Sequence, residues 1–179
     1  NFTELNTVNP EAVFVVNFLH DGPNGPDESD YGWRFRLFAP AEAKGVFGDL
    51  QATNFVLNSF LEENDSNGNP DPRMDATIFY DGTSSLFLCE PYAFWESLFP
   101  NPEVNVAFYK YSEQVAIANN EGCVADYFDG GTDFIVIRYS DVLLLYAEAL
   151  NANGNTNEAY TYVDMVRERA NMLPLSAAR

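Results

Sequence analysis

A chain of 179 residues with 46% hydrophobic content is long and apolar enough to build one domain with its own core, which excludes a disordered tail. Twenty-seven acidic against nine basic residues leave a net charge of −18. That field repels phosphate backbones and anionic lipid surfaces but does not penalise a neutral ligand such as a glycan.

The single histidine, His20, argues against imidazole catalysis and histidine-built zinc sites. Cys89 and Cys123 lie far apart and fit no metal-ligand spacing; they are read as two buried thiols or as one disulfide. No apolar run is long enough to span a membrane, and no signal peptide is present. The start on NFTEL and the stop after LPLSAAR read as a fragment of a longer protein.

In chain order, AVFVVNF is β-branched and aromatic, which predicts a short strand. DGPNGPDESDYGWRF then places three Gly and two Pro among Asp and Asn, a long surface loop ending in Tyr31 and Trp33. Long ordered loops usually carry function, and a Trp after a Gly in such a loop can serve as a ligand platform, with plain packing as the alternative. A short helix follows from Asn54 to Leu61, begun near Thr53.

In EENDSNGNPDPRMDATIFY, residues Asp65, Asn67, Asn69 and Asp71 alternate as in a calcium loop. Pro70 stands where the turn glycine belongs and Ala76 where the closing Glu belongs, so the segment reads as a polar turn. Arg73 is expected to pair with a carboxylate. Ile78 to Tyr80 reads as a brief strand, and Asp81 to Val104 as an irregular insertion. Its PYAFWESLFP concentrates Tyr92, Phe94, Trp95 and Phe99. Such rings either pack under the loop or face a ligand. AFYKY alternates as an extended segment does, and Phe134 to Ile137 is apolar.

The most ordered pattern runs from Ile137 to Met172. Tyr139, Val142, Leu143, Tyr146, Ala147 and Leu150 recur at three- and four-residue steps, as do Ala159, Tyr162, Val163, Val166 and Ala170. Gly154 is expected to end the first helix in the left-handed conformation, and Asn155 with Glu158 to cap the second. Ala147 and Ala159 are expected where the helices cross, and the pair reads either as ordinary helix packing or as a tetratricopeptide-type repeat of about 34 residues. One such pair cannot bury its apolar face alone, and no second copy is visible.

Four stretches, in order, carry a family resemblance: NPEAVF, DPRMDATIF, YKY, and IRYSDVLLLYAEALN with VRERAN. With them the chain resembles the C-terminal part of the SusD/RagB family. The resemblance implies a mainly α fold, with a tetratricopeptide-like helix pair, a long irregular loop-rich region and short strands. It divides the chain into a loop-rich ligand-face region at 1–136 and the hairpin at 137–173, both within one SusD-like domain.

It also implies a surface-exposed outer-membrane lipoprotein that binds glycan and delivers it to a TonB-dependent SusC-type transporter. No catalysis and no cofactor or metal is implied. The lipid-bearing cysteine of the family is matched by neither Cys89 nor Cys123. Within that reading the candidate ligand-binding residues are Tyr31 and Trp33 from the first loop and Tyr92 and Trp95 from the second. An aromatic ring stacks on the apolar face of a sugar while nearby amides and carboxylates bond its hydroxyls. The competing readings are a glycosidase built on two carboxylates, a protein-interaction scaffold of the transporter complex, and a binder of a non-glycan nutrient.

Overall fold

The computed structural model describes residues 9–18, 37–42, 46–99, 105–110 and 133–175. The predicted N-terminal strand is β1, Ala12–Val16. Its partner is β4, Phe134–Arg138, paired antiparallel from Ala12↔Arg138 to Val16↔Phe134 with two register shifts. The helical hairpin was expected to begin at Ile137; Ile137 and Arg138 instead complete β4, and the first helix of the hairpin, α4, begins at Tyr139. The Asp141 carboxylate fixes that boundary by accepting the Arg138 amide and guanidinium, each at 3.2 Å.

The hairpin consists of α4, Tyr139–Ala152, and α5, Thr156–Arg169. Gly154 takes φ +84°. Its amide donates to Asn151 and that of Asn155 to Leu150, the two bonds of a Schellman close. The expected side-chain cap from Asn155 does not form. The backbone of Asn155 is already used to close α4, and its own carbonyl accepts from Glu158 and Ala159. A second Schellman close ends α5. Asn171 supplies the left-handed residue at φ +59°, with Asn171 donating to Glu168 and Met172 to Arg167.

Ala147 and Ala159 are buried together with Leu150 where the helices meet, against Tyr162 and Val163. The buried stripe of α4 is Ser140, Leu143, Ala147 and Leu150. Tyr139, Val142 and Tyr146, placed on the same face by the sequence pattern, remain exposed. A shallow apolar groove of about 320 Å³ runs between the two helices, lined by Leu144, Ala147, Ala159 and Val163 among others.

The rest of the core lies under the loops. Helix α1, Asn54–Leu61, follows Thr53 as predicted and lays Val56, Leu57 and Phe60 on Ala52, Met74, Ile78 and Val106. The sequence pattern missed α2, Arg73–Thr77, a single turn entered through Pro72. It leads into β2, Ile78–Phe79, which pairs with β3, Ala107–Phe108. A second ring-rich cluster packs Ala39, Ala41, Val46, Phe79, Phe87, Tyr92, Trp95 and Phe99. At its edge Gly48 adopts φ +67°, and a Cβ there would lie 2.6 Å from the Ala41 backbone, so the turn admits only glycine.

Among the described residues, the hairpin is tied to the loops around Asp65, with Arg167 pairing Glu63 nearby in sequence, and around Glu11. Asp65 accepts the amides of Asn67 and Asn69 at 2.9 and 2.8 Å and the Asn171 side-chain amide at 2.8 Å. The Asn69 amide first, against the opposing pull of burial, and then Asn67 and Asn171 hold its pKa below the ordinary carboxylate value. The second tie joins residues of three family-like stretches, NPEAVF, IRYSDVLLLYAEALN and VRERAN. Glu11 pairs with Arg169 at 2.8 Å and accepts the Tyr139 amide on its carbonyl at 2.7 Å. Lys110 lies within the field of Arg138, Asp141 and Arg169.

Burial first, then the charges of Arg138 and Arg169 against that of Asp141, push the Lys110 pKa down to about 8. Below that pH the lysine is charged in both folded and unfolded chains. Between about 8 and its ordinary value of 10.5 only the unfolded chain keeps the proton, so stability contributed by this site rises with pH across that window. Urea midpoints measured at pH 7.5 and 9.5 should therefore show a gain in the wild type that Lys110→Met lacks. Equal slopes would refute the assignment.

Candidate ring-cored ligand loop

The segment from Asp81 to Phe99 is the part of the second candidate loop that the structure describes. It is not an open coil. Phe87 and Glu90 exchange both backbone hydrogen bonds at 3.0 Å across a tight turn. Leu88 and Cys89, inside the turn, take φ values of +46° and +61°, which side-chain-bearing residues adopt only when the surroundings enforce them. Cys89 is disulfide-bonded, which resolves the alternative left open by the sequence; the other cysteine, Cys123, lies outside the described residues.

Helix α3, Tyr92–Glu96, follows from Pro91. Its three-residue spacing puts Tyr92 and Trp95 on one face, and both go inward. Trp95 is 0% exposed, and its indole donates to the Phe87 carbonyl at 3.0 Å. Tyr92 is 6% exposed and donates to the Asn105 carbonyl at 3.0 Å. Rings meet in a continuous series: Trp95 on Phe87 with centroids 5.7 Å apart, Phe87 on Phe79 at 6.0 Å, Phe79 on Tyr92 at 5.6 Å and Tyr92 on Phe99 at 5.9 Å. Burial first, then the charges of Asp81 and Glu96, raise the Tyr92 phenol above its ordinary value, so it stays a neutral donor.

In the described structure Tyr92 and Trp95 lie in the loop's core rather than on its surface. A fully buried indole with its N–H already used presents no face to a sugar in this arrangement, and neither does Tyr92. Both are the loop's core. Tyr31 and Trp33 lie outside the described residues.

The ring of this loop that the sequence reading named but left out of its candidate set is Phe94. It leaves 37% of its surface in solvent and meets Trp95 edge-on at 5.2 Å. The signal was available. With Tyr92 and Trp95 three apart on the inner face of a helical turn, Phe94 must point elsewhere.

The described arginines offer little for an anionic ligand. Arg73, Arg138, Arg167 and Arg169 each pair with a carboxylate, on Asp71, Asp141, Glu63 and Glu11. The described residues contain no group of three His, Cys, Asp or Glu side chains able to hold a metal. In the calcium-like turn the Asp65 and Asp71 carboxylates are taken by protein donors instead. None of the described helices is long and apolar enough to cross a membrane.

Comparison with known proteins agrees with this architecture. The chain is similar in fold to a SusD superfamily protein from Bacteroides vulgatus, with a TM-score of 0.63 at 19% identity, covering 97% of this chain and 34% of that one. It is similar to a second SusD superfamily protein, from Parabacteroides distasonis, with a TM-score of 0.60 at 23% identity and the same coverages of 97% and 34%. In sequence it is 39% identical over 64 residues to SusD-like protein P2 of Formosa agariphila, a match covering 35% of this chain and 12% of that protein. The chain thus spans about a third of the length of these solved structures. The SusD family sequence profile matches residues 10–179, nearly its whole length. On that match the chain belongs to the SusD family.

Proposed function

We infer that the protein of which this chain is part captures glycan at the cell surface and passes it to a SusC-type, TonB-dependent outer-membrane transporter, without chemistry of its own. The observation that carries this reading is the family match over residues 10–179. Outer-membrane attachment through a lipid anchor outside this chain belongs to the same reading. Support from the residues is physical. The second loop is locked by a ring core, a disulfide at Cys89 and a turn held by paired backbone bonds, so it can meet a ligand without an ordering penalty.

Within this reading Tyr31 and Trp33 contact the ligand from the first loop, and Tyr92 and Trp95 hold the second loop in shape from beneath. The test is calorimetric titration of the full-length protein with a panel of polysaccharides. One polymer should bind saturably, release no reducing sugar, and lose about three- to tenfold in affinity on Trp33→Ala, the range expected of one aromatic contact. Released sugar would replace the binding reading with a glycosidase, and silence across the panel would favour a non-glycan nutrient.

A further inference from the structure

We propose that the disulfide at Cys89 is a reducible clasp. A dithiol opens it in the folded protein and releases the turn from Phe87 to Glu90, while the ring core beneath and the helical hairpin stay formed. The inference goes beyond the glycan reading above and does not depend on it.

The conformational cost of this loop is concentrated in the turn. Leu88 and Cys89 are consecutive, and both are left-handed, at φ +46° and +61°. A side chain held in that region raises the energy of the folded loop, so the surroundings must enforce it. Phe87 and Glu90 close the turn with their paired bonds at 3.0 Å, and Leu88 is anchored in the ring core at 7% exposure. Cys89, by contrast, is half-buried, at the margin of that core. Disulfides that are strained or accessible to solvent are the readily reduced ones.

The rings beneath the turn are held by contacts that do not run through the disulfide. Trp95 donates to the Phe87 carbonyl and Tyr92 to the Asn105 carbonyl, each at 3.0 Å. Phe79 packs on Phe87, Tyr92 and Tyr109, and its strand is paired with Ala107–Phe108. Opening the cross-link therefore returns freedom to the turn without emptying the core. The hairpin buries Ala147, Leu150 and Ala159 in a separate cluster.

The exchange balances. A thiolate of the dithiol attacks one sulfur of the disulfide, the S–S bond breaks and a mixed disulfide forms. The second thiol of the reductant then displaces the remaining cysteine. Two electrons and two protons pass to the protein, which ends with two cysteine thiols, and the reductant leaves as a cyclic disulfide.

The experiment incubates the full-length protein with dithiothreitol in native buffer and traps thiols with iodoacetamide. Peptide masses then report whether Cys89, and Cys123 as the other cysteine of the chain, have been labelled. Hydrogen exchange is followed in the oxidised, reduced and reoxidised protein and in Cys89→Ser. Cys89 should be labelled without denaturant. Exchange of the Phe87 and Glu90 amides should speed by about tenfold or more, with α4 and α5 unchanged, and reoxidation should restore it. Cys89→Ser should exchange like the reduced protein with no reductant added.

A Cys89 that stays unlabelled in native buffer is sealed in the fold, and that result would overturn the proposal. Unchanged turn exchange, in the labelled protein or in Cys89→Ser, would overturn it too, because the ring core alone would then hold the turn. Faster exchange throughout α4 and α5, or a Cys89→Ser protein that does not fold, would make the disulfide a staple of the whole structure instead of a local clasp.

Discussion

Trp95→Ala is expected to cost about 3–5 kcal/mol of stability, the range for truncating a fully buried large aromatic. Three losses combine. The indole is 0% exposed, so its removal leaves a cavity in a cluster whose other members are held by their own ring contacts and cannot all collapse inward. Its edge-to-face contacts with Phe87 and Phe94 disappear. The hydrogen bond from its N–H to Phe87 goes as well, although that carbonyl still accepts the Glu90 amide at 3.0 Å.

Because the carbonyl keeps this second donor, Trp95→Phe should cost less than Trp95→Ala, mostly through lost volume. Urea denaturation of the three proteins measures the order. Ligand affinity of whatever Trp95→Phe protein remains folded separates a core role from a binding role. A sharp loss of affinity at near-native stability would return Trp95 to the ligand face. Near-equal stability of Trp95→Ala and wild type would mean that the ring cluster does not hold the loop.

Phe94 and Trp95 show what composition hides. A run such as PYAFWESLFP announces that rings are present but not which way each points, and tryptophan attracts attention because exposed tryptophans so often bind sugars. The information sat in the spacing of Tyr92 and Trp95, provided the segment is recognised as helical. At five residues α3 is too short for its periodicity to stand out.

The hairpin was legible for the opposite reason. Fourteen residues per helix give the apolar pattern several turns to repeat, and Gly154 marks the break locally. Even there the sequence pattern overstated the buried face, since Tyr139, Val142 and Tyr146 remain exposed. The pattern says which side chains could share a face, not how wide a partner covers them. The pairing of β1 with β4 could not be read at all, because Ala12 and Arg138 are brought together by tertiary structure across most of the chain. Asn155 takes the N-cap position of α5 as expected but makes no side-chain cap, its backbone being held by the close of the preceding helix. Pro70 and Ala76, standing where a calcium loop needs its glycine and its closing glutamate, made the stretch around Asp65 read as a polar turn, and the Asp65 carboxylate there accepts protein amides.

The expected pairing of Arg73 with a carboxylate is made within the Asp71-Pro72-Arg73 stretch, and its geometry supports a second strong expectation. Asp71 is 4% exposed, and its carboxylate accepts the Arg73 amide and Nε at 2.9 Å as well as a charge-assisted bond from the guanidinium. Burial pulls the Asp71 pKa upward, yet the hydrogen bonds from Arg73, its charge and that of Arg167 outweigh it and hold the group below the ordinary value. Arg73→Met keeps most of the apolar stem and strands the carboxylate on backbone donors.

Losing one partner of a fully buried pair costs about 3–5 kcal/mol. With 46% of the Arg73 side chain in solvent, about 2–3 kcal/mol is the better expectation at pH 7. The pH dependence identifies the cause. In the wild type the lowered pKa contributes stability that is present above the unfolded value of 3.8 and is lost as pH falls through the folded value. In the variant burial is less opposed, so the carboxyl takes up its proton at higher pH, and protonation relieves part of the penalty. The stability gap between the two proteins should therefore be widest near neutrality and narrow as pH falls toward about 3. Urea midpoints at pH 7, 5 and 3.5 test this: a gap that stays constant would trace the loss to packing of the arginine stem, and a gap that closes to the buried charge.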